Sequence, residues 1–384
     1  MNTVQRAYRY RFYPTAEQEA ILSQTFGCAR FVYNHFLRVR TDGFYQDGQR
    51  IGYNETARLL TDLKRQPETI WLQAVSNVVL QQSLRNLDTA FKNFFQGRAK
   101  YPAFKKKHGK QSARYTTSGF RWKDGQVFLA KMEAPLTIRW SRKFTGTPSS
   151  VTVSKDAAGR YVLSILVEEQ VKVLPVVNKM AGIDLGLKDA AILSDGEKIP
   201  NPTYRRKAER KLARAQRRLA RKQKGSKNRA KARLKAARIH AKIADSRNDW
   251  AHKLTTRLVN ENQVLAAESL QVKNMVRNPC LAKAISDVGW SEITRQLAYK
   301  AHWYGRIFVQ IDKFYPSSKR CSVCGHRLES LTLNVRSWTC PECRAEHCRD
   351  VNAAKNILSA GLAILAGASA LRGHEKSTVG HTES

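Results

Sequence analysis

The chain is short of acid. Against 68 lysines and arginines it carries 31 aspartates and glutamates, a formal net charge of +37 over 384 residues. A folded surface ordinarily mixes the two signs, because a one-sign field repels itself. An excess of this size calls for a polyanionic partner, with nucleic acid first and an anionic membrane surface second. Long apolar runs are missing too. The longest uncharged stretch near the C-terminus, Ile357 to Leu371, has fifteen residues and includes Ser359, Gly361, Gly367 and Ser369. A bilayer crossing takes about 20 apolar residues, so the stretch reads as the buried side of a terminal helix. No membrane partner is expected. The opening, MNTVQRAYRYRFYP, has no apolar segment of the secretory kind, and the expected location is the cytoplasm, at the nucleoid. Cysteine is scarce as well. Seven in 384 residues make no disulfide scaffold, and Cys28 and Cys280, standing alone, read as packing residues.

What is present is enough for real cores. Apolar residues make up 42% and aromatics 9%, and at roughly 150 residues per domain the length suggests two or three domains. Residues 3–13 alternate basic and aromatic types, the period-two pattern of a strand. Thr15-Ala16-Glu17-Gln18 is a helix start, and Leu22, Phe26, Ala29, Tyr33 and Phe36 follow at helical spacing. Leu80, Leu84, Leu87, Phe91 and Phe94 give a second helical face. Between about 114 and 172 the texture is β: short runs such as Val127-Phe128-Leu129, Val151-Thr152-Val153 and Tyr161 to Val167, separated by turns, suggest a small barrel. After Pro175 a new domain opens with Met180 to Gly186 and a hairpin through Asp195-Gly196.

Three constellations carry chemistry. From Arg205 to Arg247 there are nineteen lysines and arginines and only two acids, Glu209 and Asp245. An apolar stripe through Leu212, Ala215, Leu219, Ala230, Leu234 and Ala241 makes the segment a helical hairpin of about 20 residues per arm. Cations without counter-charges on such a scaffold point to phosphate-backbone binding. Next, Cys321-Ser322-Val323-Cys324 and Cys340-Pro341-Glu342-Cys343 are two CxxC knuckles that supply four thiolates for tetrahedral zinc. Four thiolates leave no open position, so this zinc is structural. Last, Asp184 and Glu268 each end a strand-like run, and Asp350 opens a helix. Carboxylates at adjacent strand mouths are what a two-magnesium phosphodiesterase needs.

The ordered segments Gly182-Ile183-Asp184-Leu185-Gly186, Ala267-Glu268-Ser269-Leu270, Phe314-Tyr315-Pro316-Ser317-Ser318 and Arg349-Asp350-Val351-Asn352-Ala353-Ala354 resemble the TnpB family. So do Arg11 to Pro14, Ala29 to Asn34 and Trp290 to Arg306, which together cover nearly the whole chain. The family consists of transposon-encoded, RNA-guided DNA endonucleases related to compact type V CRISPR effectors. The resemblance implies a multidomain α+β and α/β chain. A wedge β-barrel would occupy 1–14 and 112–177, with a helical recognition insert at 15–111. An RNase-H-like (RuvC) nuclease domain would occupy 178–312 and 347–372, with the basic hairpin at 203–249. A zinc ribbon at 313–346 would interrupt it, and a disordered tail would follow at 373–384.

It makes Asp184, Glu268 and Asp350 the catalytic triad for two magnesium ions, beside a structural zinc and a guide RNA transcribed near the gene. Target double-stranded DNA and its displaced strand would be the other partners. Nucleic-acid contacts are expected at Tyr53, Asn77 and Gln81, which would read a short flanking motif, and at Arg205, Arg206, Lys211 and Arg218. One position departs from the pattern: Cys348 stands where the family often has an acid, which bears on the support of Asp350. Two other readings are a guided DNA-binding repressor that no longer cuts and a transposase accessory protein. The intact acids speak against the first, and no tyrosine or serine nucleophile motif supports strand joining.

Overall fold

In the computed structural model, which describes residues 2–107, 109–332 and 334–378, the opening alternation becomes strand β1 (Asn2–Phe12). Tyr8, Tyr10 and Phe12 are buried and Arg9 is exposed, as alternate faces of a strand require. Thr15 then caps helix α1 (Ala16–Asp47). Its hydroxyl accepts from the Gln18 amide while the Gln18 side chain accepts from the Thr15 amide, each at 3.2 Å. This reciprocal pair satisfies two amides that the first helical turn leaves without partners. Helices α2 (Tyr53–Leu63) and α3 (Asn77–Phe95) pack their apolar faces on α1 around Val32, Phe36, Leu60, Leu80, Leu84 and Leu87.

The β texture that follows resolves into β2 (Gln111–Thr116), β3 (Phe120–Lys123), β4 (Gln126–Leu129), β5 (Ile138–Arg139), β6 (Pro148–Lys155) and β7 (Tyr161–Val171). The sheet order is β2-β6-β7-β1-β5, and β3 and β4 pair with each other as a separate hairpin. Asp124 and Gly125 both have positive φ, 51° and 73°, the two-residue turn that holds such a hairpin tight. The pairing is thus a five-stranded sheet plus a hairpin, not one continuous ladder around a barrel. Val127 and Leu129 of the hairpin nonetheless share a core with Tyr10, Phe12, Val151, Leu163 and Ile165. Leu22, Phe26 and Val79 of the helices enter the same core, so sheet and helices make one unit, Thr3–Gln170.

The second unit takes Asn2 and the chain from Val171 onward. β8 (Met180–Asp184), β9 (Asp189–Leu193) and β10 (Lys198–Pro200) form an antiparallel meander. The basic segment is α4 (Tyr204–Ala220) and α5 (Lys227–Glu261). β11 (Val264–Glu268), the short α6 (Val272–Met275) and α7 (Ala282–Val288), α8 (Trp290–Tyr304) and β12 (Ile307–Ile311) follow. β13 (Ser337–Thr339) and β14 (Glu346–Cys348) pair within the cysteine-rich segment, which leads into α9 (Arg349–Thr378). The sheet runs β10-β9-β8-β11-β12, with β11 parallel to both neighbours.

Three expectations need correcting. The basic hairpin has unequal arms, 17 and 35 residues, the longer reaching about 52 Å. Its apolar stripe continues past the charge run in Ala251, Leu254, Leu258 and Val259, which pack against the sheet. Cys28 is buried as expected, but Cys280 is exposed in the loop before α7. The expected tail is helical backbone as far as Thr378, where it continues α9; its last part, 379–384, lies outside the described residues. Among the described residues, no helix is long and apolar enough to cross a membrane.

Candidate active site and zinc cluster

Parallel pairing of β8 and β11 puts their last residues at the same edge of the sheet. Ile183 pairs with Ala267, and each is followed directly by an acid, Asp184 and Glu268. The third acid, Asp350, is the second residue of α9, which lies against β8 and β11. That approach depends on missing side chains. A Cβ at Gly182 would collide with the Ala354 carbonyl oxygen, and one at Gly361 would stand 2.6 Å from the Ala266 Cβ. Small residues at both crossings let the helix backbone close on the strands and bring Asp350 to their ends.

The electrostatics of the three acids reflect this crowding. Burial pushes the Asp184 carboxyl up to about 7, the charges of Glu268 and Asp350 add to the rise, and Arg349 opposes it. Asp350 is paired with Arg349 Nε at 3.1 Å and, more loosely, with Arg336 at 3.7 Å. Glu268 accepts a bond from the Ser317 hydroxyl at 2.6 Å. Two carboxylates whose charges raise the proton affinity of a third, all offering hard oxygens, fit a site for divalent cations. Among the described residues, the group of possible metal ligands gathered most tightly is a different one, the four cysteine sulfurs, all within 4.8 Å of one another.

The cysteines meet as their spacing foretells. Cys321 Sγ stands 3.6 Å from Cys343 Sγ, and Cys324 Sγ stands 3.6 Å from Cys340 Sγ. Tetrahedral zinc with Zn–S bonds of about 2.3 Å sets sulfurs about 3.8 Å apart, so the residues fit the metal. Gly325 follows the first knuckle at φ 82°, a turn that a side chain would strain. His347 supplies what the spacing did not show: its Nε2 lies 3.0 Å from Cys321 Sγ, and its ring packs on Trp338. Burial raises the Cys321 thiol, but amide bonds from Cys324 and Val323 and the His347 contact outweigh it and lower the group, while contacts with the other three sulfurs raise the Cys324 thiol, so the proton is shared unevenly within the cluster. A thiol kept as thiolate is ready for metal.

The other expected contacts fall into two groups. Asn77 and Gln81 are exposed and one turn apart on α3, so they share a face. Lys64 Nζ donates to Asn77 Oδ1 at 3.0 Å, and Arg85, one turn further, lies over the Tyr53 ring at 4.4 Å. The three candidates therefore border one polar stripe. Arg206, Lys211 and Arg218 are exposed along α4 and Arg205 is half-buried. Sequence reasoning missed what starts that helix. Thr203 is left-handed and makes no cap; instead the buried Asp287 accepts from the Arg205 amide at 2.9 Å and the Arg206 amide at 3.2 Å. An anion there also suits the helix dipole. No local pattern links residue 287 to 205, so only the fold reveals it. Cys348, at the position where an acid is common, is exposed at the end of β14, and arginines flank Asp350 instead.

Comparison with known proteins bears on the family of the chain. Residues 164–279 match a family described as a probable transposase, and residues 290–357 match the Cas12f1-like TNB domain. Residues 1–49 match a family described as a helix-turn-helix domain, although here they form a strand and one long helix. A proposed RNA-guided DNA endonuclease of Streptomyces pristinaespiralis is 50% identical, covering 98% of this chain and 94% of the relative. The proposed RNA-guided DNA endonuclease InsQ of Escherichia coli K12 is 35% identical over 94% of this chain and 93% of its own length. Among solved structures, Cas12f1 in its complex with single-guide RNA and target DNA shares the fold. Its TM-score is 0.56 at 14% identity, covering 93% of this chain and 99% of that one. The acids, the cysteine cluster and full-length relatives at this identity agree: the chain belongs to the TnpB family.

Proposed function

We propose that this protein is an RNA-guided, magnesium-dependent DNA endonuclease, with Asp184, Glu268 and Asp350 as its catalytic carboxylates. The observation that carries the proposal is their convergence from two strand ends and a helix start, far apart in sequence, into one cluster that raises the proton affinity of Asp184. Relatives named as RNA-guided DNA endonucleases support it. In this reading the mixed five-stranded sheet with α9 across it is the RNase-H-like domain, the cysteine cluster is its zinc ribbon, and the N-terminal sheet is the wedge.

The three acids would hold two magnesium ions, which when bound supply an activated water and charge for the leaving oxygen. The protein's own part is to hold the acids apart yet convergent, and to present the target strand to them. Arg206, Lys211 and Arg218 on α4 would engage the guide RNA or target backbone, while the stripe bordered by Tyr53, Asn77 and Gln81 would read the flanking motif. Sequence choice falls to base pairing, as in other guided nucleases. A guided repressor would have no use for the acid cluster.

The test is programmability. Protein loaded with its own RNA carrying a rewritten guide segment should cut the rewritten target and ignore the old one. The cut should vanish with Asp184→Ala or a scrambled flanking motif, while guided binding survives Asp184→Ala. Cleavage indifferent to the RNA sequence defeats the guided reading; an Asp184→Ala protein that cuts at the normal rate defeats the site.

A further inference from the structure

A buried polar strip joins the zinc ribbon to the carboxylates. Ser317 lies four residues before Cys321 and is 5% exposed. Its hydroxyl donates to Glu268 Oε1 at 2.6 Å, and its carbonyl accepts from Asn356 Nδ2 at 2.8 Å. Asn356 Nδ2 also donates to the Arg320 carbonyl at 2.6 Å. Asn352 donates to that same carbonyl at 2.7 Å, while its Oδ1 accepts from the Ser322 amide, inside the first cysteine knuckle, at 2.9 Å. Asn352 and Asn356 are one turn apart on the first turns of α9, the helix that carries Asp350, and are 2% and 3% exposed. Buried amides and hydroxyls hold their geometry firmly, because breaking any one bond leaves a desolvated polar atom without a partner.

Both ends of the strip matter for the acids. At one end Ser317 fixes an oxygen of Glu268 and so its rotamer. At the other, Asn352 ties the helix that presents Asp350 to the backbone between Arg320 and Ser322, which Cys321 would anchor when it holds zinc. We propose that Ser317, Asn352 and Asn356 form a relay that makes the ion-binding posture of Glu268 and Asp350 depend on the folded zinc ribbon, with Ser317 as the positioning residue for Glu268. The relay rests on reading the acids as cation ligands. Partners of this kind, one bond behind the ligands, set metal affinity by orienting them.

The test uses the full zinc-loaded chain at high salt without nucleic acid, with Mn2+ as the paramagnetic probe and bound ion read by electron spin resonance. Ser317→Ala should raise the Mn2+ midpoint about tenfold and leave zinc content unchanged. Ser317→Thr should restore the midpoint by returning the hydroxyl. Asn352→Ala, which touches no carboxylate, should weaken Mn2+ in the same direction. In RNA-loaded protein, Ser317→Ala should shift the magnesium midpoint of cleavage and leave guide-RNA affinity alone. If Ser317→Ala fails to fold, Ser317→Cys takes its place, nearly isosteric and a weaker donor, with the same expected direction. Wild-type midpoints in the serine and Asn352 variants would overturn the relay even if the protein cuts DNA. If the wild-type chain binds no Mn2+, or binds it regardless of Asp184→Asn, the reading of the acids falls and the relay with it.

Discussion

Asp184 is the residue at which folding and chemistry pull apart. Its folded pKa of about 7 lies above its ordinary 3.8, so between those values the folded protein keeps a proton that the unfolded chain has released. Stability of the magnesium-free protein should therefore fall as pH rises from about 4 to about 7 and stay reduced above it. Ionising the group in the fold costs on the order of 4 kcal/mol. Asp184→Asn should accordingly raise the melting temperature of zinc-loaded, magnesium-free protein at pH 8, do little at pH 4, and abolish cleavage. Calorimetry at the two pH values checks the sign; an equal shift at both would contradict it. Cys340→Ser makes the opposite kind of change. Wild-type protein should contain one zinc per chain by elemental analysis, and the variant should lose it and melt earlier, since zinc binding at such a cluster is folding free energy.

At the scale of elements, what the sequence showed plainly was local. The capping box at Thr15 and Gln18, the apolar face through Leu80, Leu84 and Leu87, and the two CxxC knuckles are patterns of a few residues, and the structure realises each of them. The features that escaped are contacts between distant segments. Asp287 starts α4 from 82 residues away, Ser317 reaches Glu268 across 49, and α5 extends because Leu254 and Leu258 find a sheet to pack on. The acids themselves were legible mainly through resemblance, since an acid at the end of an apolar run is common. Gly182 belongs to this scale. A methyl group there meets helix backbone, which cannot swing aside as a side-chain tip does. Gly182→Ala should destabilise the second unit by about 1–3 kcal/mol and lower cleavage by displacing Asp350. Denaturant unfolding with an unchanged midpoint would show that α9 can shift.

At the scale of the molecule, the charge is the dominant fact. With +37 unbalanced, affinity for nucleic acid should fall steeply with salt. Replacing Arg206, Lys211 and Arg218 with glutamine should flatten the log–log dependence by about 0.9 for each duplex phosphate the variant no longer neutralises. Fluorescence anisotropy over a salt series measures this, and an unchanged slope would make α4 a merely solvated face.

The order of segments along the chain has a consequence in time. Asp184 and Asp350 are 166 positions apart, with the cysteine cluster between Glu268 and Asp350. A ribosome adding 5–20 residues per second takes about 8 to 33 seconds to cover that distance. Throughout it the N-terminal unit, Thr3–Gln170, is already made, and so, before the end, are both arms of the basic hairpin. On the reading of the hairpin as a phosphate-binding surface, the nascent protein could gather nucleic acid while its third acid does not yet exist. If Asp184, Glu268 and Asp350 are the cutting centre, its assembly waits for the ribbon and the helix behind it, so the growing chain would carry its basic surface before it could cut.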